Sequence, residues 1–120
     1  MYIRGAHRYY TACGQSAFRR APFLILLQQD CGEQMYAVVR KVALRQLGHW
    51  MMGFARIEGK TYSMSGCYGN DGLPVTIGKI PKDAKKVPQE LVEAWNKGGG
   101  WNSCGSEAPA MAEWAKETFK

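Results

Sequence analysis

Apolar and polar side chains alternate in short segments between residues 36 and 80, and this alternation restricts the chain to folds built around a sheet. The clearest segment is TYSMSGCY, residues 61–68, in which Tyr62, Met64 and Tyr68 are separated by small or polar residues. A period of two is typical of a strand with one buried and one exposed face. MYAVVRKVALRQL and HWMMGFARIEG continue the pattern, with a turn expected at Glu58 and Gly59. GNDG, residues 69–72, favours a hairpin that returns LPVTIGKI as the antiparallel partner of TYSMSGCY.

After residue 87 the apolar spacing changes to that of helices. Pro88 suits a first helical turn and Gly98 suits a cap, so VPQELVEAWNKGGG predicts one helix. A second helix is expected over residues 107–119. The predicted buried stripes are Leu91, Val92 and Trp95 in the first helix and Met111, Trp114, Ala115 and Phe119 in the second. The sequence therefore predicts an α+β fold, an antiparallel β-meander of three to five strands with two C-terminal α-helices packed on one face.

The first 34 residues differ from the rest in composition and in the pattern of apolar residues. They are rich in arginine and show no continuous period outside FLILL, residues 23–27. Two interpretations stay open, a basic N-terminal arm or an extra strand supplied through FLILL. Residues 35–120 are expected to form a single α+β domain, which suits a chain of 120 residues. On the first interpretation, a chain that starts at Met35 should fold by itself.

Positive charge is concentrated in the first half of the chain. The net charge is +6, and residues 1–60 carry 9 basic and 3 acidic residues whereas residues 61–120 carry 7 of each. Arginine binds phosphate and carboxylate through a planar fork. The distribution predicts a nucleic acid or an acidic protein surface as partner, although solubility alone also requires some net charge. The candidate partner-binding residues are Arg19, Arg20, Arg40, Lys41, Arg45 and Arg56.

Aromatic residues near these cations allow two interpretations. Trp50, Tyr62 and Tyr68 are of the kind on which single-stranded nucleic acid stacks, but no RNP-type motif accompanies them. The alternative is that the rings form the core of the sheet. We expect that alternative for Trp50, Met52 and Phe54, which would lie beneath the helices and leave the opposite, basic face exposed.

The glycine-rich segment GGGWNSCGSEAP, residues 98–109, precedes the second helix. It lacks the lysine of a phosphate loop and follows a helix instead of a strand, which argues against nucleotide hydrolysis. We interpret it chiefly as an interhelical turn in which Ser106 caps the second helix. A weaker hypothesis is a single anion bound by Asn102, Ser103 and Ser106.

The cysteines and histidines point to neither a metal site nor a cofactor. Cys13, Cys31, Cys67 and Cys104 lack the close pairing that is usual for zinc, and His7 and His49 stand alone. Cys104 with His49 would make the most reasonable nucleophile and base. Packing is the favoured role of the thiol, and we expect no catalytic residues.

These features favour a small, non-catalytic binding protein that acts on a macromolecular partner, either nucleic acid or a nucleic-acid-handling protein complex. An accessory or inhibitory protein of the phage or mobile-element type is the expected kind. No run of residues approaches the length of a membrane span and no export signal is convincing, so a cytoplasmic location is expected. Two alternatives stay open: an enzyme or anion-binding protein that uses His49, Cys104 and the loop 102–106, and a structural protein that assembles through a sheet edge.

Overall fold

The computed structural model of the chain describes residues 19–29, 34–48, 50–67, 72–97 and 109–119. Within these ranges a six-stranded sheet precedes two short helices, so the described structure is mostly β and agrees with the α+β class. The strands are β1 (Arg19–Gln28), β2 (Met35–Leu47), β3 (Trp50–Ile57), β4 (Lys60–Cys67), β5 (Gly72–Thr76) and β6 (Lys85–Lys86), and the helices are α1 (Gln89–Lys97) and α2 (Pro109–Thr118).

The sheet is mixed and nearly closed, which corrects the predicted antiparallel meander. Its strand order is β4-β3-β2-β1-β5, and β6 pairs with the start of β2. β5 runs parallel to β1, from Leu24 opposite Gly72 to Gln28 opposite Thr76, instead of pairing as a hairpin with β4. The two end strands, β4 and β5, contact each other. The sheet therefore curls into a shape close to a barrel.

The apolar run of β1 explains this topology. Phe23, Ile25 and Leu27 face the inside of the barrel, whereas Leu24 and Leu26 face the helices, and all five are almost completely buried. A strand whose side chains are buried on both faces lies in the interior of the protein, where its backbone N–H and C=O groups need protein partners along both edges. β2 supplies one and β5 supplies the other. The alternation in β5 indicated a strand but did not indicate which neighbour it would pair with.

Inward-facing residues of five strands fill the barrel. They belong to one continuous cluster: Ala21, Phe23, Ile25, Leu27, Val38, Val42, Leu44, Met51, Ala55, Ile57, Met64, Leu73, Val75 and Ile77. Gly53 lies among them. A larger residue does not fit there, because a Cβ atom at this position would lie 2.8 Å from Val42 Cγ1 and 3.0 Å from Leu44 Cδ2. The interior thus has no room for a side chain at residue 53.

A second core lies between the outside of the sheet and the two helices. It contains outward residues of β1 and of the first half of β2, together with Val87 and the buried stripes of both helices. Its members are Leu24, Leu26, Met35, Ala37, Val39, Val87, Val92, Trp95, Met111 and Ala115, with Leu91, Trp114 and Phe119 partly buried against them. Both predicted stripes are confirmed. The two helices pack on outward residues of the first half of β2, and the described part of the chain places no helix over its second half, from Lys41 onward.

The turn expected at Glu58 and Gly59 is confirmed. Both residues have positive φ, 53° and 78°, and they join paired residues Ile57 and Lys60. This is the two-residue hairpin geometry that matches the twist of antiparallel strands. Residues 69–71 of the second predicted turn lie outside the described residues.

We expect a chain that starts at Met35 not to fold, which reverses the expectation from the sequence. The shortened chain lacks β1, so both cores lose buried residues and β5 loses the strand with which it forms its parallel ladder. Urea unfolding followed by circular dichroism should show no cooperative transition for the shortened chain and one for the full chain. A cooperative transition with the same midpoint in both would contradict the central role of β1.

Gly53→Ala should destabilise the protein by about 1–3 kcal/mol, because the added methyl group overpacks the barrel against the stiff side chain of Val42. Gly78→Ala is the matched control, since a Cβ atom there would meet nothing within 4 Å. The control should change the free energy of unfolding by no more than about 0.5 kcal/mol. Equal effects of the two substitutions in urea unfolding would contradict this account of the interior.

Candidate functional site

Four cations and two aromatic rings share the outward surface of the sheet that the helices leave uncovered. The register places Arg20 beside Ala43, Ala43 beside Phe54, and Arg56 beside Thr61. Alternation along each strand then puts every second residue on the same side. We call this surface the basic face, and its members are Arg20, Lys41, Arg45, Trp50, Phe54, Arg56 and Thr61.

None of the described residues that form the basic face is acidic, although Glu58, in the turn after β3, acts electrostatically on Arg40. Strands β1 to β4 contain seven lysines and arginines and not one aspartate or glutamate. In the described part of the chain, Arg20, Lys41 and Arg56 form no salt bridge. Arg56 instead donates hydrogen bonds to neutral acceptors, the backbone oxygen of Gly59 at 2.6 Å and Thr61 Oγ1 at 3.3 Å. The guanidinium is therefore held in place while its charge stays uncompensated.

The rings of Trp50 and Phe54 lie on this face, which corrects their assignment to the core. Trp50 is 56% exposed and Phe54 is 37% exposed, and Met52 between them is half-buried. The inward positions of β3 belong to Met51, Ala55 and Ile57. Both faces of WMMGFARI carry apolar residues, so period two alone did not determine which set faces inward, and a shift of one residue exchanges the faces.

A cleft opens on the basic face where β2 and β3 separate. Their ladder runs from Leu47 opposite Trp50 to Ala43 opposite Phe54, and β6 pairs with β2 only further along, at Tyr36 and Ala37. Between these two ladders lies a cavity of about 430 Å³. It is lined by Arg20, Arg40, Lys41, Ala43, Phe54, Ala55, Arg56 and Thr61. Four of these eight side chains are cationic and none is acidic.

Arg40 differs from the other cations because its charge is paired within the protein. It occupies an inward position of β2, and its guanidinium donates to both carboxylate oxygens of Asp83, at 2.6 Å and 2.8 Å. This bidentate hydrogen bond is the main reason that the pKa of Asp83 lies below its ordinary value and that of Arg40 above its own; partial burial opposes both shifts. The pair fastens the loop before β6 to the edge of β2 beside the cleft.

The structure brings together most of the predicted partner-binding residues. Arg20, Lys41, Arg45 and Arg56 share the basic face, Arg40 faces inward, and Arg19 lies in β1. The weak anion site at Asn102, Ser103 and Ser106 lies outside the described residues, as do His49 and Cys104. The sequence interpretation missed Asp83 and Thr61 as contributors, and no motif marks either residue.

Among the described residues, no group of three or more histidine, cysteine, aspartate or glutamate side chains is arranged to hold a metal ion. None of the helices in the described ranges is long and apolar enough to cross a membrane.

No protein-family model, no curated protein and no solved structure matches this chain.

Asp83→Asn should lower stability modestly at neutral pH and not at all in acid. The folded protein holds the proton on Asp83 less tightly than the unfolded chain does, so the contribution of the pair is complete above the ordinary aspartate pKa of about 3.9 and is lost as the pH falls through the lower folded value. Because Asp83 is 61% exposed, the expected loss is about 0.2–1 kcal/mol. Urea unfolding at neutral pH and at about pH 2 measures both values. A difference that persists unchanged in acid would contradict the assignment.

Proposed function

We propose that this protein is a small, non-catalytic binding protein that docks nucleic acid on the basic face. The observation that carries the proposal is the presence of two exposed aromatic rings, Trp50 and Phe54, on a surface that also holds exposed cations. Three of these cations, Arg20, Lys41 and Arg56, form no salt bridge within the described residues. Charge attracts the phosphate backbone, and the rings offer platforms for bases. The combination is characteristic of surfaces that bind nucleic acid without reading its sequence.

The electrostatic contribution rests on Arg20, Lys41 and Arg56. Each is exposed, so each can approach a phosphate without the cost of breaking an internal ion pair. Arg45, half-buried beside Met52, adds a fourth positive charge to the same side of the sheet. Cationic side chains displace the counterions that are condensed on the phosphates of a nucleic acid, and this release makes the affinity strongly dependent on salt.

The exposed rings favour a binding role over a purely structural one. A tryptophan that leaves more than half of its surface in water contributes little burial energy to the fold. Trp50 and Phe54 lie on one strand, four residues apart and on one side, which aligns them along β3.

Biologically, the proposal is an accessory or inhibitory protein of the phage or mobile-element type that works in the cytoplasm. A second candidate is that the partner is a nucleic-acid-handling protein with an acidic surface. Trp50 favours this candidate too, because tryptophan and arginine are enriched among the residues that dominate protein interfaces. The two candidates differ in how affinity depends on salt.

Arg20→Gln combined with Lys41→Gln should weaken nucleic-acid binding and reduce its dependence on salt. Each lost phosphate contact lowers the slope of log affinity against log salt by about 0.9, so the double variant should lose nearly two units. Fluorescence anisotropy with labelled DNA and RNA, from about 50 to 200 mM salt, measures the slope. Lys97→Gln combined with Lys116→Gln, on the helices, removes the same charge away from the basic face and should leave the slope almost unchanged.

An equal loss in the helix variant would show that net charge, and not this face, attracts the nucleic acid. If the unaltered protein binds neither DNA nor RNA even at about 50 mM salt, direct nucleic-acid binding is excluded. An acidic protein partner would then replace it.

A further inference from the structure

We infer that the cleft between β2 and β3 is a nucleotide subsite that selects single-stranded nucleic acid. One backbone phosphate enters the cleft, and the base attached to it stacks on Phe54. The inference rests on the proposed function, because it specifies which form of nucleic acid the basic face binds and where. It is carried by the convergence of unpaired cations and an exposed ring in one cavity.

The charges in the cleft favour a phosphate. Asp83 already engages the guanidinium of Arg40, so the remaining positive charge comes from Arg20, Lys41 and Arg56. The planar fork of Arg56 is fixed by two neutral acceptors and does not have to be ordered when a ligand binds. Several charge-assisted donors around one point suit an oxyanion with multiple acceptor oxygens.

The size of the cavity favours a nucleotide over a bare phosphate ion. A volume of about 430 Å³ lies within the range of small-molecule sites, about 300–1,000 Å³. Phe54 is part of its lining and stands two residues from Arg56 on the same face of β3. Two residues along a strand span about 7 Å, which is the scale on which the base and phosphate of one nucleotide are separated.

Stacking on Phe54 requires an unpaired base. In a duplex both faces of each base are covered by neighbouring bases, so a ring on a protein surface cannot reach them without unstacking the helix. A phenylalanine carries no hydrogen-bonding group and cannot read a base edge. The subsite should therefore prefer single strands while showing little preference among base sequences.

Trp50 extends the same path. It faces the same side as Phe54 and lies four residues away along β3, or about 13 Å. A single nucleic-acid strand anchored in the cleft at Phe54 can continue over Met52 and place a second base on Trp50. β3 thus gives the bound strand its direction across the sheet.

Single-strand preference is tested with an oligothymidylate of about 12 nucleotides and a duplex of the same length. The unaltered protein should bind the single strand at least about tenfold more tightly. Phe54→Leu should weaken single-strand binding about tenfold and leave duplex binding unchanged, whereas Phe54→Tyr keeps the ring and should restore the affinity. Arg56→Gln should weaken the binding of both, whereas Lys97→Gln, which removes one charge from the last turn of α1, should weaken the binding of neither.

The outcomes separate the inference from the proposed function. Equal affinity for single strand and duplex, with no effect of Phe54→Leu, would overturn the subsite and leave nucleic-acid docking intact. Absence of binding to any nucleic acid at low salt would overturn both. Urea unfolding of each variant identifies any that fail to fold.

Competition on the unaltered protein tests the cleft without any variant. Thymidine monophosphate should displace the labelled oligothymidylate at a lower concentration than either thymidine or inorganic phosphate, because only the monophosphate fills both parts of the subsite. Displacement by inorganic phosphate at the same concentration would show that the base contributes nothing and would overturn stacking on Phe54. Displacement by thymidine at the same concentration would overturn the phosphate position.

Discussion

Burial of β1 on both of its faces is the constraint on which the rest of the structure depends. One side of the strand closes the barrel interior with Phe23, Ile25 and Leu27, and the other side receives the helices on Leu24 and Leu26. The backbone groups on both of its edges then need partners, and β2 supplies them on one edge and β5 on the other. β1 thus contributes to both cores, as β2 does, and its removal would take buried residues from each of them.

Local patterns predicted most elements, whereas pairing and facing depended on information that is not local. The spacing of Val92 and Trp95 predicted the first helix, and Glu58 with Gly59 predicted a turn. The parallel partner of β5 was not predictable from its own residues, because any strand of similar apolarity could have filled that place. Trp50 and Phe54 were assigned to the wrong side because both faces of β3 are apolar. The basic residues were found through composition, but their convergence required the register.

The cleft is a consequence of how the edge of β2 is shared. β3 pairs with the second half of β2 and β6 pairs with its beginning, so neither strand is hydrogen-bonded to β2 around Arg40 and Lys41. Such a gap would expose an inward-facing arginine in the barrel wall. The carboxylate of Asp83 pairs with the guanidinium of Arg40 and thereby holds the loop before β6 beside the opening. The Arg40–Asp83 pair and the proposed binding cations are therefore adjacent but have separate roles. Arg40 stabilises the barrel wall through its ion pair, whereas Arg20, Lys41 and Arg56 face the solvent.

The parallel ladder between β1 and β5 also determines how the chain can reach its fold. Leu24 pairs with Gly72, so this ladder forms only after the intervening strands have been made and a long loop has closed. Such non-local pairing is slow compared with the formation of hairpins such as β3–β4. During synthesis FLILL leaves the ribosome early but stays without its second neighbour until β5 follows. β1, which contributes to both cores, is therefore also exposed to aggregation while the chain is incomplete.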